Sequence, residues 1–237
     1  AAYMADGYAR IARRPSVCMA QSVGAANLAA GLQDARLACS PVIAITGRLE
    51  QIKQHRHAYQ EIDHRGPFES VTKFHSQVTS ARELPFFLRQ AFREATTGTP
   101  GPAHLDLDGI DGTVVANDEA DLELIVEEPF TRVPPFRPEP ELTLIREALD
   151  LLSSAKRPVI VAGGGVTASQ AQDDLVALAE KLSIPVATAM NAKTAIPADH
   201  PLAVGVPGNY SRACTNQIVC EADLVFFVGS HTGGQLT

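Results

Sequence analysis

The stretch VCMAQSVGAANLAAGLQDARLACSPVIAITG, residues 17–47, decides the fold class. It opens on a short apolar run at 17–20 and closes on a second at 41–46, PVIAIT. An uninterrupted apolar run of that kind is typical of a strand covered on both faces, as in a parallel sheet. Between the two stands a glycine-bearing segment at 21–26, predicted as a turn, and a small-residue segment at 27–36, predicted as a helix. Strand, crossover helix and parallel strand make a βαβ unit with a right-handed crossover. Its turn, SVGAA at 22–26, falls at the carboxyl end of the first strand, where open α/β sheets place their ligands.

The flanking chain repeats the pattern. Residues 1–13 predict a helix with Met4, Tyr8 and Ile11 on one face, ended by Pro15. Residues 47–66 are polar and histidine-rich without a clean period, an excursion at the strand end of a length usually functional or disordered. A short strand is expected near 71–75. A helix follows over 82–96, with Leu84, Phe87, Leu88, Ala91, Phe92 and Ala95 on one face and Pro85 in its first turn. The rigid turn GTPGP at 98–102 leads into a strand at 103–107.

From 108 to 140 acidic residues (Asp118, Glu119, Asp121, Glu123, Glu127, Glu128) give way to prolines 129, 134, 135, 138 and 140, the composition of an extended linker. Beyond it a helix at 141–154, a strand from 157 ending in three glycines, a helix at 169–182 and strands at 184–189 and 223–228 predict further βαβ units. The fold class is therefore α/β, with two domains, each a mainly parallel sheet flanked by helices: 1–115, a linker at 116–140, then 141–237. The chain opens inside a helix pattern and stops just after a strand and a glycine turn, so it reads as a fragment truncated at both ends.

Composition narrows the function classes. At 45% apolar and 20% charged residues the balance is that of a soluble globular protein, and a net charge of −7 argues against nucleic acid or an anionic membrane as partner. Cys18, Cys39, Cys214 and Cys220 form no CxxC pair, which predicts buried thiols in a reducing cytoplasm and no disulfide framework or metal cluster.

Several groups offer chemistry. Gly163, Gly164 and Gly165 after a strand suit close backbone approach to a nucleotide phosphate, and equally suit a tight strand–helix joint; they do not match GxGxxG. His55, His57 and His64 have the residue types of a ligand set, but on a polar excursion solvated histidines are the expectation, and no metal is assigned. Beside Gln60, the carboxylates of Glu61 and Asp63 offer acid–base groups, though on a loop carboxylates are usually solvated. Ser22 lacks a GxSxG elbow, so a hydrolase triad has no support.

The motifs AAYMADGYAR (1–10), QSVGAAN (21–27), SPVIAITG (40–47), YQEID (59–63), VTK (71–73) and GTPGP (98–102) occur in that order. Together they resemble the amino-terminal and central domains of thiamine-diphosphate enzymes of the acetolactate synthase type, whose relatives include benzoylformate and oxalyl-CoA decarboxylases and glyoxylate carboligase. The resemblance implies a pyrimidine-binding domain followed by a Rossmann-like central domain. It implies a third, diphosphate-binding domain with a GDG…N magnesium site, a motif not found in these 237 residues.

The family's catalytic glutamate, in Glu-x-x-Ala-Ala, would fall three positions before Ala1. No residue inside the chain takes that role. The resemblance implies that Ser22, Val23, Gly24 and Asn27 line the pyrimidine pocket, as a turn shortened by one residue and lacking the family's proline. Gln60 would stand on the substrate side and Tyr59 at the pocket mouth.

Where acetolactate synthases carry an arginine for FAD in Gly-Arg-Pro-Gly-Pro, this chain has Thr99, and their Arg-Phe-Asp-Asp-Arg segment has become SHTGG at 230–234. Both differences remove flavin contacts. The implied protein is a flavin-free, cytoplasmic 2-oxoacid decarboxylase or carboligase, using thiamine diphosphate and magnesium on a small 2-oxoacid or acyl-CoA as a homodimer or homotetramer. The alternative is a non-catalytic nucleotide-binding or regulatory protein on the same two-domain scaffold.

Overall fold

A computed structural model describes residues 1–109, 122–123 and 125–233. The expected domain end at 115, the linker residues Asp118, Glu119 and Asp121, and Gly234 of the SHTGG segment lie outside the described residues. The chain divides into two compact units, Ala1–Phe136 and Arg137–Thr237. Each contains a four-stranded parallel sheet flanked by helices, the α/β class expected.

In the first unit the strands are β1 (Ser16–Gln21), β2 (Val42–Arg48), β3 (Phe74–Val78) and β4 (Ala103–Asp108), in the order β1-β2-β4-β3. Gln21 pairs with Gly47 and Arg48 with Asp108, so the carboxyl ends of β1, β2 and β4 lie level. The helices are α1 (Ala2–Ala12), α2 (Ser22–Leu37), α3 (Arg65–Glu69) and α4 (Leu84–Thr96). One sheet face buries Ile43, Ala103 and Leu105 against Ala91 and Ala95 of α4, the helix face expected. The other buries Val42 and Ala44 among Ala5, Leu28, Leu32 and Phe68.

Two local expectations are corrected, at the start of α2 and at the start of β3. There is no turn at 21–26: α2 begins at Ser22, directly after β1. Glycine serves close packing there, since a Cβ at Gly24 would stand 3.1 Å from that of Ala20. Farther along, a Cβ at Gly31 would stand 2.6 Å from that of Ala2, so α1 and α2 pack nearly backbone to backbone. The face of α1 carrying Met4, Tyr8 and Ile11 points outward, with Ile11 87% exposed, while Ala2, Ala5 and Ala9 are buried. Small residues win the core side because α2 approaches too closely for large ones. Finally, β3 starts at Phe74, because Val71 and Thr72 close α3, with the Thr72 hydroxyl donating to the Phe68 carbonyl at 2.8 Å.

Residues 125–136 pack on the rest of the first unit. Arg93 of α4 forms a two-pronged ion pair with Glu127, and its guanidinium lies 5.6 Å from the Phe130 ring centre. The amide of Val133 donates to the carbonyl of Arg13 at 3.0 Å.

In the second unit β5 (Pro158–Ala162), β6 (Val186–Thr188), β7 (Ala203–Gly205) and β8 (Leu224–Val228) take the order β7-β6-β5-β8, all parallel. The helices are α5 (Leu142–Ser154), α6 (Gly164–Ala168), α7 (Gln172–Leu182) and α8 (Ala213–Cys220). The helix expected from 169 starts at Gln172, and the short β7 and α8 were not anticipated. Ile160, Ala162 and Val186 form a core with Leu175 and Ala179 of α7; Val159, Val161 and Ala187 form the opposite one.

All four cysteines stand outside any disulfide, but Cys214 and Cys220 are exposed, which corrects the expectation of burial for those two. Burial pushes the Cys18 and Cys39 thiols up from their ordinary values. No helix among the described residues is long and apolar enough to cross a membrane.

Candidate functional site

The carboxyl end of β1 delivers Ser22 into the first turn of α2 fully buried and with a φ of 40°, a left-handed conformation that favours glycine. Its hydroxyl donates to the backbone carbonyl of Gln60 at 3.1 Å, although the two residues are 38 apart in sequence. The structure thus brings together the turn expected to line a pyrimidine pocket and the loop expected on its substrate side. Val23 and Asn27, one helical turn apart, are both exposed, and Gly24 between them is half-buried. Tyr59 projects freely, at 85% exposure, beside half-buried Gln60.

The loop itself carries unusual backbone. His55, His57 and Gln60 have φ values of 64°, 53° and 63°. These three left-handed non-glycine residues fall within six positions, and Ser22, a fourth, is bonded to the last of them; strain of this kind collects at functional sites. Glu61 organises this loop, its carboxylate accepting from the amides of His55 and, at 3.1 Å, Ala58. Those amide bonds hold its carboxyl below the usual range. Asp63 accepts from the Arg65 amide at 2.9 Å and introduces α3. Both carboxylates are thus engaged in shaping the loop.

His55 and His57 are exposed whereas His64 is buried, so the three do not converge. No group of three or more His, Cys, Asp or Glu among the described residues is arranged to hold a metal.

A second set of residues was not anticipated as a set. Thr46 and Arg48 on β2, and His104, Asp106 and Asp108 on β4, recur at every second position and so share one sheet face. All five are buried. Arg48 Nε lies 2.6 Å from Asp108 and 3.9 Å from Asp106. Burial raises the Asp108 carboxyl, against the opposing pull of Arg48. Polar residues with a period of two inside otherwise apolar strands were the available signal. The stripe runs toward the carboxyl ends of the strands, the side on which Ser22 stands. The hollow of about 570 Å³ lined by Met4, Tyr8, Pro15, Val17 and Met19 runs along α1 and β1. It includes none of Ser22, Tyr59 or Gln60.

In the second unit Gly163, Gly164 and Gly165 lie between β5 and β8, where the strand order reverses and α/β folds bind nucleotides. There the amide of Gly163 donates to Val228 at 2.8 Å and that of Gly165 to Gly229 at 2.9 Å. The Val166 amide donates to Gly163 at 3.1 Å. A Cβ on Gly163 would overlap the Gly229 carbonyl oxygen, and one on Gly165 would stand 2.7 Å from the Gly229 Cα. These two glycines let two loop backbones meet, and their amides are taken up by the protein's own carbonyls. Only Gly164 faces open space.

Comparison with known proteins agrees with this architecture. Residues 1–66 match the family described as "Thiamine pyrophosphate enzyme, N-terminal TPP binding domain", and residues 145–237 match "Thiamine pyrophosphate enzyme, central domain". The probable acetolactate synthase large subunit of Methanocaldococcus jannaschii is 38% identical over 240 residues, covering 100% of this chain and 40% of that protein. The acetolactate synthase large subunit of Corynebacterium glutamicum is 36% identical, covering 100% of this chain and 37% of its own length. The isozyme 1 large subunit of Escherichia coli is also 36% identical, covering 97% and 40%. The chain thus spans about 40% of the length of these curated relatives. With both family domains present in order along one chain and carried by two parallel α/β units, the chain belongs to the thiamine pyrophosphate enzyme family.

Proposed function

We propose that this chain forms the pyrimidine-binding and central parts of a thiamine-diphosphate-dependent 2-oxoacid decarboxylase or carboligase, a lyase or transferase of C–C bonds resembling acetolactate synthase. The observation that carries the reading is the Ser22–Gln60 junction, which joins a strand end to a strained loop. The residues present fit a flat heteroaromatic ring. At the start of α2 exposed Val23 offers an apolar face, beside half-buried Gly24. Bound there, thiamine diphosphate supplies a carbon nucleophile and an electron sink for a 2-oxoacid.

The chain's own residues would bind and orient. Ser22 holds the Gln60 loop in place, Val23 and Gly24 form a wall that excludes water, Asn27 extends that wall, Gln60 faces the substrate and Tyr59 covers the mouth. Magnesium would be held outside these two domains.

Two features support a flavin-free enzyme: Thr99 stands where acetolactate synthases have arginine, and the Gly163 and Gly165 amides are engaged by residues 228 and 229. The substrate is a small 2-oxoacid or acyl-CoA, and the working form a cytoplasmic homodimer or homotetramer. The test is a screen of the full-length protein, supplied with thiamine diphosphate and magnesium but no flavin, against pyruvate, glyoxylate, benzoylformate and oxalyl-CoA. Carbon dioxide release from at least one is expected. Its absence from all four, with or without added FAD, would overturn the reading.

A further inference from the structure

The loop from 51 to 63 is exposed or half-buried throughout, yet the next residue, His64, is 2% exposed. It caps the amino end of α3 and enters the polar stripe of the sheet. The proton positions there follow from one carboxylate. Asp106 can only accept, so its Oδ1 takes the Thr46 hydroxyl proton at 2.6 Å and the His64 Nδ1 proton at 3.0 Å. Thr46, its one proton committed, must accept from His104 Nε2 at 2.7 Å. Burial, followed by the neighbouring His75 and His64, pushes His104 down to about 2, so its ring is neutral and its Nδ1 bare. That nitrogen accepts from His75 Nδ1 at 2.8 Å. Phe68 of α3 stacks on the His104 ring, with centres 3.6 Å apart, and seals the chain from above.

The outcome is a directed chain, His75 to His104 to Thr46 to Asp106, met from the other side by His64. Every member but His75 is at most 2% exposed. Asp106 thus receives His64 on the loop side through Oδ1, while its other oxygen stands 3.9 Å from Arg48 Nε. Gln60 stands four positions earlier, against Ser22. The strained segment that carries Tyr59 and Gln60 is thus tied down at Gln60 and, four residues on, at His64.

We propose that His64 is a positioning residue for the pocket loop: its Nδ1 proton on Asp106 sets the path of residues 55–63 and so keeps Gln60 on Ser22. Only the kinetic arm of its test rests on the enzyme reading above. Asparagine can place an amide nitrogen where His64 has Nδ1, whereas glutamine places it one bond farther out, near Nε2. The two are close in polarity and differ chiefly in where the donor sits.

The test compares His64→Asn and His64→Gln in the full-length protein by amide hydrogen exchange and by steady-state kinetics on whichever 2-oxoacid the wild type turns over. His64→Asn should keep wild-type exchange across 55–63 and an unchanged KM. His64→Gln should exchange about tenfold faster over 55–63 with β1 and β2 unchanged, and raise KM about tenfold with kcat within twofold, as expected for one lost charge-assisted hydrogen bond. If the two variants behave alike, both intact or both impaired, the positioning role is overturned. If the wild type turns over nothing but the exchange contrast holds, the enzyme reading fails and the role of His64 stands.

Discussion

Ser22 combines two opposing contributions that substitution can separate. Its left-handed backbone costs roughly 1 kcal/mol relative to glycine, while its hydrogen bond to Gln60 contributes about the same. Ser22→Ala keeps the strain and loses the bond, so it should unfold at lower urea concentration, with a loss of about 1 kcal/mol. Ser22→Gly relieves one term as it removes the other and should stay within about 0.5 kcal/mol of the wild type. A larger loss for glycine than for alanine would contradict this account. The segment at Ser22 was legible as a candidate ligand site from its place at a strand end, whereas Gln60 became a candidate pocket residue through the resemblance of its motif. Nothing local relates two positions 38 apart, because a sheet and a loop must first fold to bring them together. His64 was expected in solvent with His55 and His57, since its neighbours are polar; its burial is set by Asp106 on a distant strand.

At the level of elements, the glycine joint and the polar stripe each make a prediction. Gly163→Ala would drive a Cβ into the Gly229 carbonyl and should destabilise the second unit by about 2 kcal/mol or more. Gly164→Ala meets open space at a first helical position and should instead stabilise by up to about 1 kcal/mol. Thermal unfolding of the two variants checks the contrast.

The stripe predicts acid sensitivity. Burial depresses His104 to about 2 and lowers His75, whose other neighbours are Asp106, Arg65, Asp63 and Glu69. The unfolded histidines protonate near 6.5 while the folded ones resist. Stability is therefore full above about pH 6.5 and falls as pH drops toward the folded values. His104 alone contributes a slope of about 1.4 kcal/mol per pH unit, or roughly 2 kcal/mol between pH 6.5 and 5. Urea unfolding over that range should show it, and His104→Gln should flatten it.

Long elements with a clear apolar pattern, such as β2 and α4, were legible. The three-residue β7, the five-residue α3 and the eight-residue α8 are too short to show a period. The start of α2 was missed because Gly24 resembles a turn glycine, although its role is contact with Ala20.

For the whole molecule, alternating strand and helix signals on either side of a proline-rich stretch were enough for two parallel α/β units. The proposed reading of the site needed ordered motifs as well, since fold alone leaves function open. The chain spans about 40% of its acetolactate synthase relatives, so the proposed activity belongs to the full-length protein. The most direct measurement is carbon dioxide release from a 2-oxoacid by that protein after dialysis free of cofactors. Turnover that returns with thiamine diphosphate and magnesium, and is unchanged by FAD, is the predicted result. Turnover that never returns, or that returns only with FAD, would contradict the account.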